Sequence, residues 1–156
     1  AHELPRLMQY LKQHGINGAR GCADVELWRN ELGWSVWLGV NLDSPQEGVW
    51  SLRLYAPTGE VVYTARFSVQ KCRLVVGAMQ GPRGDSSSDL VRRATKALHG
   101  LRPHFFLMEV LRAFAPTLGV TRLLGTYSGE GGALTFFRSS AICSFNSVFS
   151  AVSLPI

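Results

Sequence analysis

The 156-residue chain holds no uninterrupted apolar run of eighteen residues, so it offers no membrane-spanning helix. It has three cysteines, Cys22, Cys72 and Cys143, none in a C-x-x-C pair. An odd and sparse count speaks against a disulfide framework and suits a reducing compartment. No His or Cys cluster has metal-ligand spacing, so neither a zinc site nor any other metal is expected. Ser128 and the serines after it lack a G-x-S-x-G setting, so serine hydrolysis has no support. Glu109 is the lone acid of its predicted helix and gives no carboxylate pair for glycosidase chemistry. No RNP-like aromatic motif is present, and RNA recognition is not expected. The first residues, "AHELPRLMQY", are not a signal peptide. They begin with Ala1 rather than methionine, so an upstream segment, with any export signal in it, is expected.

What remains is a chain with 46% hydrophobic and 17% charged residues, which fits one globular domain with a real core. The formal net charge of +5 reads either as a generic basic surface or as help in meeting an anionic partner.

Hydrophobic period organises most of the chain. Leu4, Leu7, Met8 and Leu11 make a helical stripe, and "ADVELWRNEL" predicts a second short helix. Trp34, Val36, Leu38 and Val40 then alternate as a strand. Residues 49–55 and 61–69 alternate likewise and are joined by a Pro-Thr-Gly turn, an antiparallel hairpin. Trp28, Trp34, Trp37 and Trp50 are placed in the core or sheet, with Trp37 on the face opposite Trp34. Residues 73–79 are apolar on both faces except at Arg73, which marks a strand inside the sheet. Leu90, Ala94 and Leu98 fall on one helical face, with Ser88 or Asp85 as cap and Gly100 as terminator. Pro103 suits the first turn of a further helix, whose core stripe is Leu107, Val110, Leu111 and Phe114. "VTRLLGTYS" returns as a strand, and the intervening helices allow it to lie parallel to residues 73–79. The fold class is therefore α+β, an antiparallel-rich mixed sheet with a two-helix crossover.

Candidate site residues gather around that crossover. Gln80, Gly81, Arg83 and Gly84 form a glycine turn between a strand and a helix start, where free N–H groups attract anions. The alternative is a tight corner in which Gly81 and Gly84 serve backbone geometry alone. Arg92, Arg93, Lys96 and Arg102 make a basic surface, either a solvated face or a contact for anionic lipid. His99 and His104 stand near the helix junction, as acid–base groups or as structural caps. His99 and Tyr127 are the candidates for proton transfer, and no catalytic constellation fixes either of them.

The stretch from "GAMQGPRGDSSSDL" through "TKALHGLRPHFF" to "LGVTRLLGTYS" resembles the signature region of the bacterial VirK/YbjX family. "QGPRG", "TKALHGLRP" and "LGVTRLLG" match in order, and with the upstream strands the likeness covers residues 34–128. It divides the chain into a partial helical segment (1–33), the family-like core (34–128) and an atypical tail (129–156). The resemblance implies a bacterial accessory protein of envelope homeostasis or virulence, linked to tolerance of antimicrobial peptides, in the cytoplasm or the periplasm. It implies an envelope or secretion protein as partner. Family members continue after the last strand with Asn, His and basic residues, whereas this chain runs "GEGGALTFFRSS", the end expected of a shifted frame or a truncated variant. The motif order also resembles, at a distance, the GNAT acyltransferase fold, in which such a turn holds coenzyme A. That likeness implies an acyl-CoA-type donor on Gln80, Gly81, Arg83 and Gly84. The spacing differs, and Pro82 removes one donor.

Overall fold

The computed structural model describes Gln9, residues 24–127 and residues 132–138, with side chains as far as Gly125. Apart from Gln9, the helix expected over residues 4–11 lies outside the described residues, as does the tail beyond residue 138.

One mixed sheet organises the chain: β1 (Val25–Arg29), β2 (Ser35–Val40), β3 (Trp50–Tyr55), β4 (Val61–Gln70), β5 (Arg73–Gln80), β6 (Arg122–Tyr127) and β7 (Gly132–Arg138). Spatial order equals chain order. β1 to β5 form an antiparallel meander. β5 and β6 are parallel, and β7 returns antiparallel. Two helices, α1 (Ser87–Ala97) and α2 (Pro103–Phe114), provide the crossover between β5 and β6. The expected α+β class and the docking of residues 73–79 beside the strand that begins near Thr121 both hold.

The first strand corrects the sequence reading. "ADVELWRNEL" contains β1 and a turn, not a helix. A register shift between Glu26 and Trp28 breaks the strict alternation, so Val25, Trp28 and Leu32 mimic helical spacing. The Glu26–Arg29 ion pair, at 2.8 Å and three residues apart, adds to the imitation. The sheet thus reaches back to Val25, upstream of residue 34.

Turn chemistry sets the meander. The Ala56 N–H donates to the Glu60 carbonyl (2.9 Å), and Gly59, at φ +90°, closes the turn. At the far end of β4 the chain reverses through Lys71, with φ +56°, and Cys72. The carbonyl of Cys72 then accepts from the N–H groups of Thr121 (2.8 Å) and Arg122 (3.2 Å). Those two bonds start the parallel register, Arg73 opposite Arg122 through Val76 opposite Gly125.

The core lies between the sheet and the helices. Val36, Leu38, Leu52, Leu54, Phe67 and Leu74 are fully buried from the sheet side. Leu107, Leu111 and Phe114 meet them from α2, which packs on β3 and β4. The stripes expected on both helices are the buried ones, Leu90, Ala94 and Leu98 included. Pro103 opens α2 at its first turn, as its missing N–H allows. The α1 cap differs from expectation: Ser86 holds the N-cap position without a side-chain bond, Asp85 precedes it, and Ser88 lies inside the helix. At the other end the Gly100 N–H reaches back to the Thr95 carbonyl (2.8 Å), which requires the left-handed backbone found at His99 and Gly100.

The other face of the sheet is polar. Residues 41–49 cross it as a strap containing a short 3-10 turn, Pro45–Glu47. Buried Asn41 clasps the strap, its amide donating to the carbonyls of Ser44 and Gly48, both at 2.7 Å.

Candidate functional site

The end of β5 delivers the glycine turn to the rim of the sheet. Gln80 closes the strand, paired with Thr64, and its Oε1 accepts from Arg66 Nη1 at 3.0 Å. The same Nη1 donates to Glu47 Oε2 at 2.7 Å. Gln80 is thus turned to the polar face of the sheet and tied to the strap. Gly81 runs against Tyr63: a Cβ there would stand 2.9 Å from the phenol ring. Gly84 takes φ +101° with open space around it, so its glycine requirement is one of backbone conformation. Arg83 is exposed.

The four cations of the expected basic surface are all exposed, and two of them share one acid. Asp89 accepts from Arg92 (2.6 Å) and Arg93 (3.1 Å), and the Arg92 bond above all holds its carboxyl below the ordinary range. Arg93 also approaches Glu60 at 4.0 Å, which ties α1 to the β3–β4 turn. Lys96 lies near the C-terminal end of α1, where a cation suits the helix dipole. Arg102 occupies the N-cap of α2.

The histidines separate. His99 sits exposed in a left-handed corner at φ +56°, facing solvent. His104, the second residue of α2, is half-buried between Tyr63 and Phe105, with ring centroids 5.9 and 4.1 Å away. Burial first, and then the Arg102 charge, push the His104 imidazole below its usual value. Burial pushes the Tyr63 phenol up. Both rings therefore stay neutral near pH 7. They form an uncharged aromatic pair beside the Arg102 guanidinium, a setting for holding an anion or a polar group. Tyr127 ends β6, and its side chain lies outside the described residues.

The fold brings together Tyr63, Gly81, Arg102, His104 and Phe105. It draws Gln80 away to the opposite face and leaves His99 apart. Sequence reasoning missed the Tyr63–His104 pairing, which joins residues forty-one positions apart along the chain and follows only from α2 crossing β4. It also missed the charged lattice behind the sheet: Arg53 with Asp24 (3.5 Å) and Asp43 (3.9 Å), and Arg66 with Glu47. The alternation of Ser51, Arg53 and Tyr55 with Thr64, Arg66 and Ser68 carried that signal, a polar face two strands wide.

The fold defines an α+β protein built on a meander sheet, with two helices crossing between β5 and β6. The chain belongs to the family described as "Protein of unknown function (DUF535)", whose pattern matches residues 6–130. It is 34% identical over 126 residues to "Membrane protein LapB" of Mannheimia haemolytica, a stretch that takes in 78% of this chain and 52% of that protein. It is 35% identical over 89 residues to an uncharacterized protein of Haemophilus influenzae, covering 56% of this chain and 30% of the relative. A second H. influenzae protein, also uncharacterized, is 37% identical over 79 residues, covering 50% and 27%. The chain spans about half the length of the first of these relatives and under a third of the other two. No solved structure matches it. Among the described residues no helix is long and apolar enough to cross a membrane, which says nothing of crossing by strands.

Proposed function

We propose that this protein is an accessory factor of bacterial envelope homeostasis or virulence, similar to the VirK/YbjX proteins, and that it acts by binding a partner or an envelope component. The observation that carries the reading is the 126-residue match, over 78% of this chain, to a protein named as a membrane protein. The geometry supports it. The corner of Arg102, His104, Phe105 and Tyr63 offers one cation and neutral aromatic surface, which suits recognition. The test is deletion of the gene in a bacterium that encodes it, followed by uptake of a hydrophobic fluorescent probe and survival under a cationic antimicrobial peptide. Raised uptake and lowered survival, both restored by the intact gene, are expected. A deletion strain indistinguishable from its parent in both assays refutes the reading.

A second reading, an acyltransferase using an acyl-CoA-type donor, is favoured by one observation. The turn Gln80–Gly84 leaves the carboxyl end of β5 beside parallel β6 and enters α1, the place where open sheets with parallel strands hold ligands. Gly81, Arg83 and Gly84 would cradle the phosphates, with Gln80 first released from Arg66. His99 or Tyr127 would move the proton. Thermal-shift titration with acyl-CoA discriminates: saturable stabilisation lost in Gly84→Glu supports it, and a flat response removes it.

A further inference from the structure

The outer surface of the α1–α2 corner has a property that neither the glycine turn nor the sheet explains. Phe105, in the first turn of α2, is 54% exposed, although the rest of that helix's aromatic content is buried. Its ring leans on His104, at 4.1 Å between centroids, so it is held outward by a neighbour that stays uncharged near pH 7. Arg102, three residues earlier, is exposed at the N-cap of α2, and exposed Lys96 lies in the last turn of α1. Arg92 lies one turn before Lys96 on the same outward face, opposite the buried stripe of Leu90, Ala94 and Leu98. Arg92 pairs with Asp89.

We infer that this corner is an interfacial surface that rests on an anionic bilayer, with the Phe105 ring entering the headgroup layer and Arg92, Lys96 and Arg102 meeting lipid phosphates. The inference rests on the envelope reading and names the component bound. An isolated exposed aromatic gains free energy by leaving water, and an adjacent set of cations is attracted to an anionic surface. Each contribution alone gives weak, reversible attachment, and the two together give a usable one. A soluble acidic protein would satisfy the cations as well, but it would need a pocket for the ring. A bilayer accepts an unenclosed aromatic wherever it lies.

The test is flotation of the 156-residue chain with vesicles of phosphatidylcholine alone and of phosphatidylcholine with phosphatidylglycerol, at low and at raised sodium chloride. Binding to the anionic vesicles, weakened by salt, is expected. Phe105→Ser and the double variant Lys96→Glu/Arg102→Glu should each lower the apparent affinity about tenfold. Phe105→Trp should keep it. All three substituted positions are solvent-facing, so the variants remain folded, as thermal melts would verify. Inorganic phosphate at millimolar concentration should not displace the chain. Its doing so would assign the cations to a free anion and overturn the bilayer. Equal binding to neutral vesicles, no binding at all, or wild-type binding by both Phe105→Ser and the charge-reversal variant would overturn the inference too. The deletion phenotype is read separately, so an altered envelope with no vesicle binding removes this surface and leaves the envelope role standing.

Discussion

Gly77→Ala tests whether the strap over the polar face holds the rim in place. Gly77 is the extra residue where β5 slips its register against β4, between Val76 and Ala78. A Cβ on Gly77 would stand 1.8 Å from the carbonyl oxygen of Glu47 and 2.7 Å from its carbon. Both are backbone atoms, so no rotamer change relieves the clash, and the strap must lift. Forced overpacking of this kind costs about 1–3 kcal/mol. Lifting the strap also withdraws Glu47 from Arg66, whose side chain is 12% exposed, which adds about 1 kcal/mol for a charged bond lost at a half-wet site. The sum is a loss of about 2–4 kcal/mol, read as a lower urea midpoint with an unchanged slope. Hydrogen exchange should speed up at Asn41, whose N–H donates to the Val49 carbonyl at 2.8 Å, and at Val49, whose N–H donates to Ser68 Oγ at 3.2 Å. Glu47→Gln, which keeps the strap but not the charge, should show the smaller part of the loss. A Gly77→Ala protein within about 0.5 kcal/mol of the parent, with unchanged exchange at residues 41–49, would refute the reasoning.

Three further outcomes are expected. Leu107→Ala removes a fully buried side chain from the helix–sheet core and should cost about 2–5 kcal/mol by denaturant titration; a loss under 1 kcal/mol would mean α2 does not seat as described. Asn41→Ala leaves the carbonyls of Ser44 and Gly48 without their donor and should cost about 1–3 kcal/mol, with proteolytic nicking appearing in the strap. His104 is harder to protonate in the folded chain than in the unfolded one, where imidazole titrates near 6.5. As pH falls through that value the unfolded state takes up the proton first, so the neutral ring's contribution is present above it and lost below. The urea midpoint should therefore drop from pH 7.5 to pH 5 more steeply in the parent than in His104→Gln, and equal slopes would show that His104 is not desolvated.

Local pattern carried most of the architecture. Strict alternation in residues 49–55 and 61–69 announced the hairpin, because every second side chain must meet the core. The stripes of Leu90, Ala94 and Leu98 and of Leu107, Val110, Leu111 and Phe114 announced the helices and their inward faces. An apolar strand followed by two helices and another strand announced the parallel pair, since only a crossover of that length reverses the chain twice. β1 escaped because a single register shift turned a period of two into a false period near four. The same limit hid the site.

By itself, then, the order of residues determined which segments extend, which coil and which side of each is apolar. Periodicity and turn chemistry act between near neighbours, so a linear chain already displays them. Only the tertiary structure decided that Arg66 would share its guanidinium between Glu47 and Gln80, nineteen and fourteen positions away, and that His104 would settle between Tyr63 and Phe105. Those meetings depend on strand register, on the strap crossing the sheet and on the angle at which α2 lies over β4. Each is fixed by packing summed over the whole core, and no short stretch of sequence contains that sum.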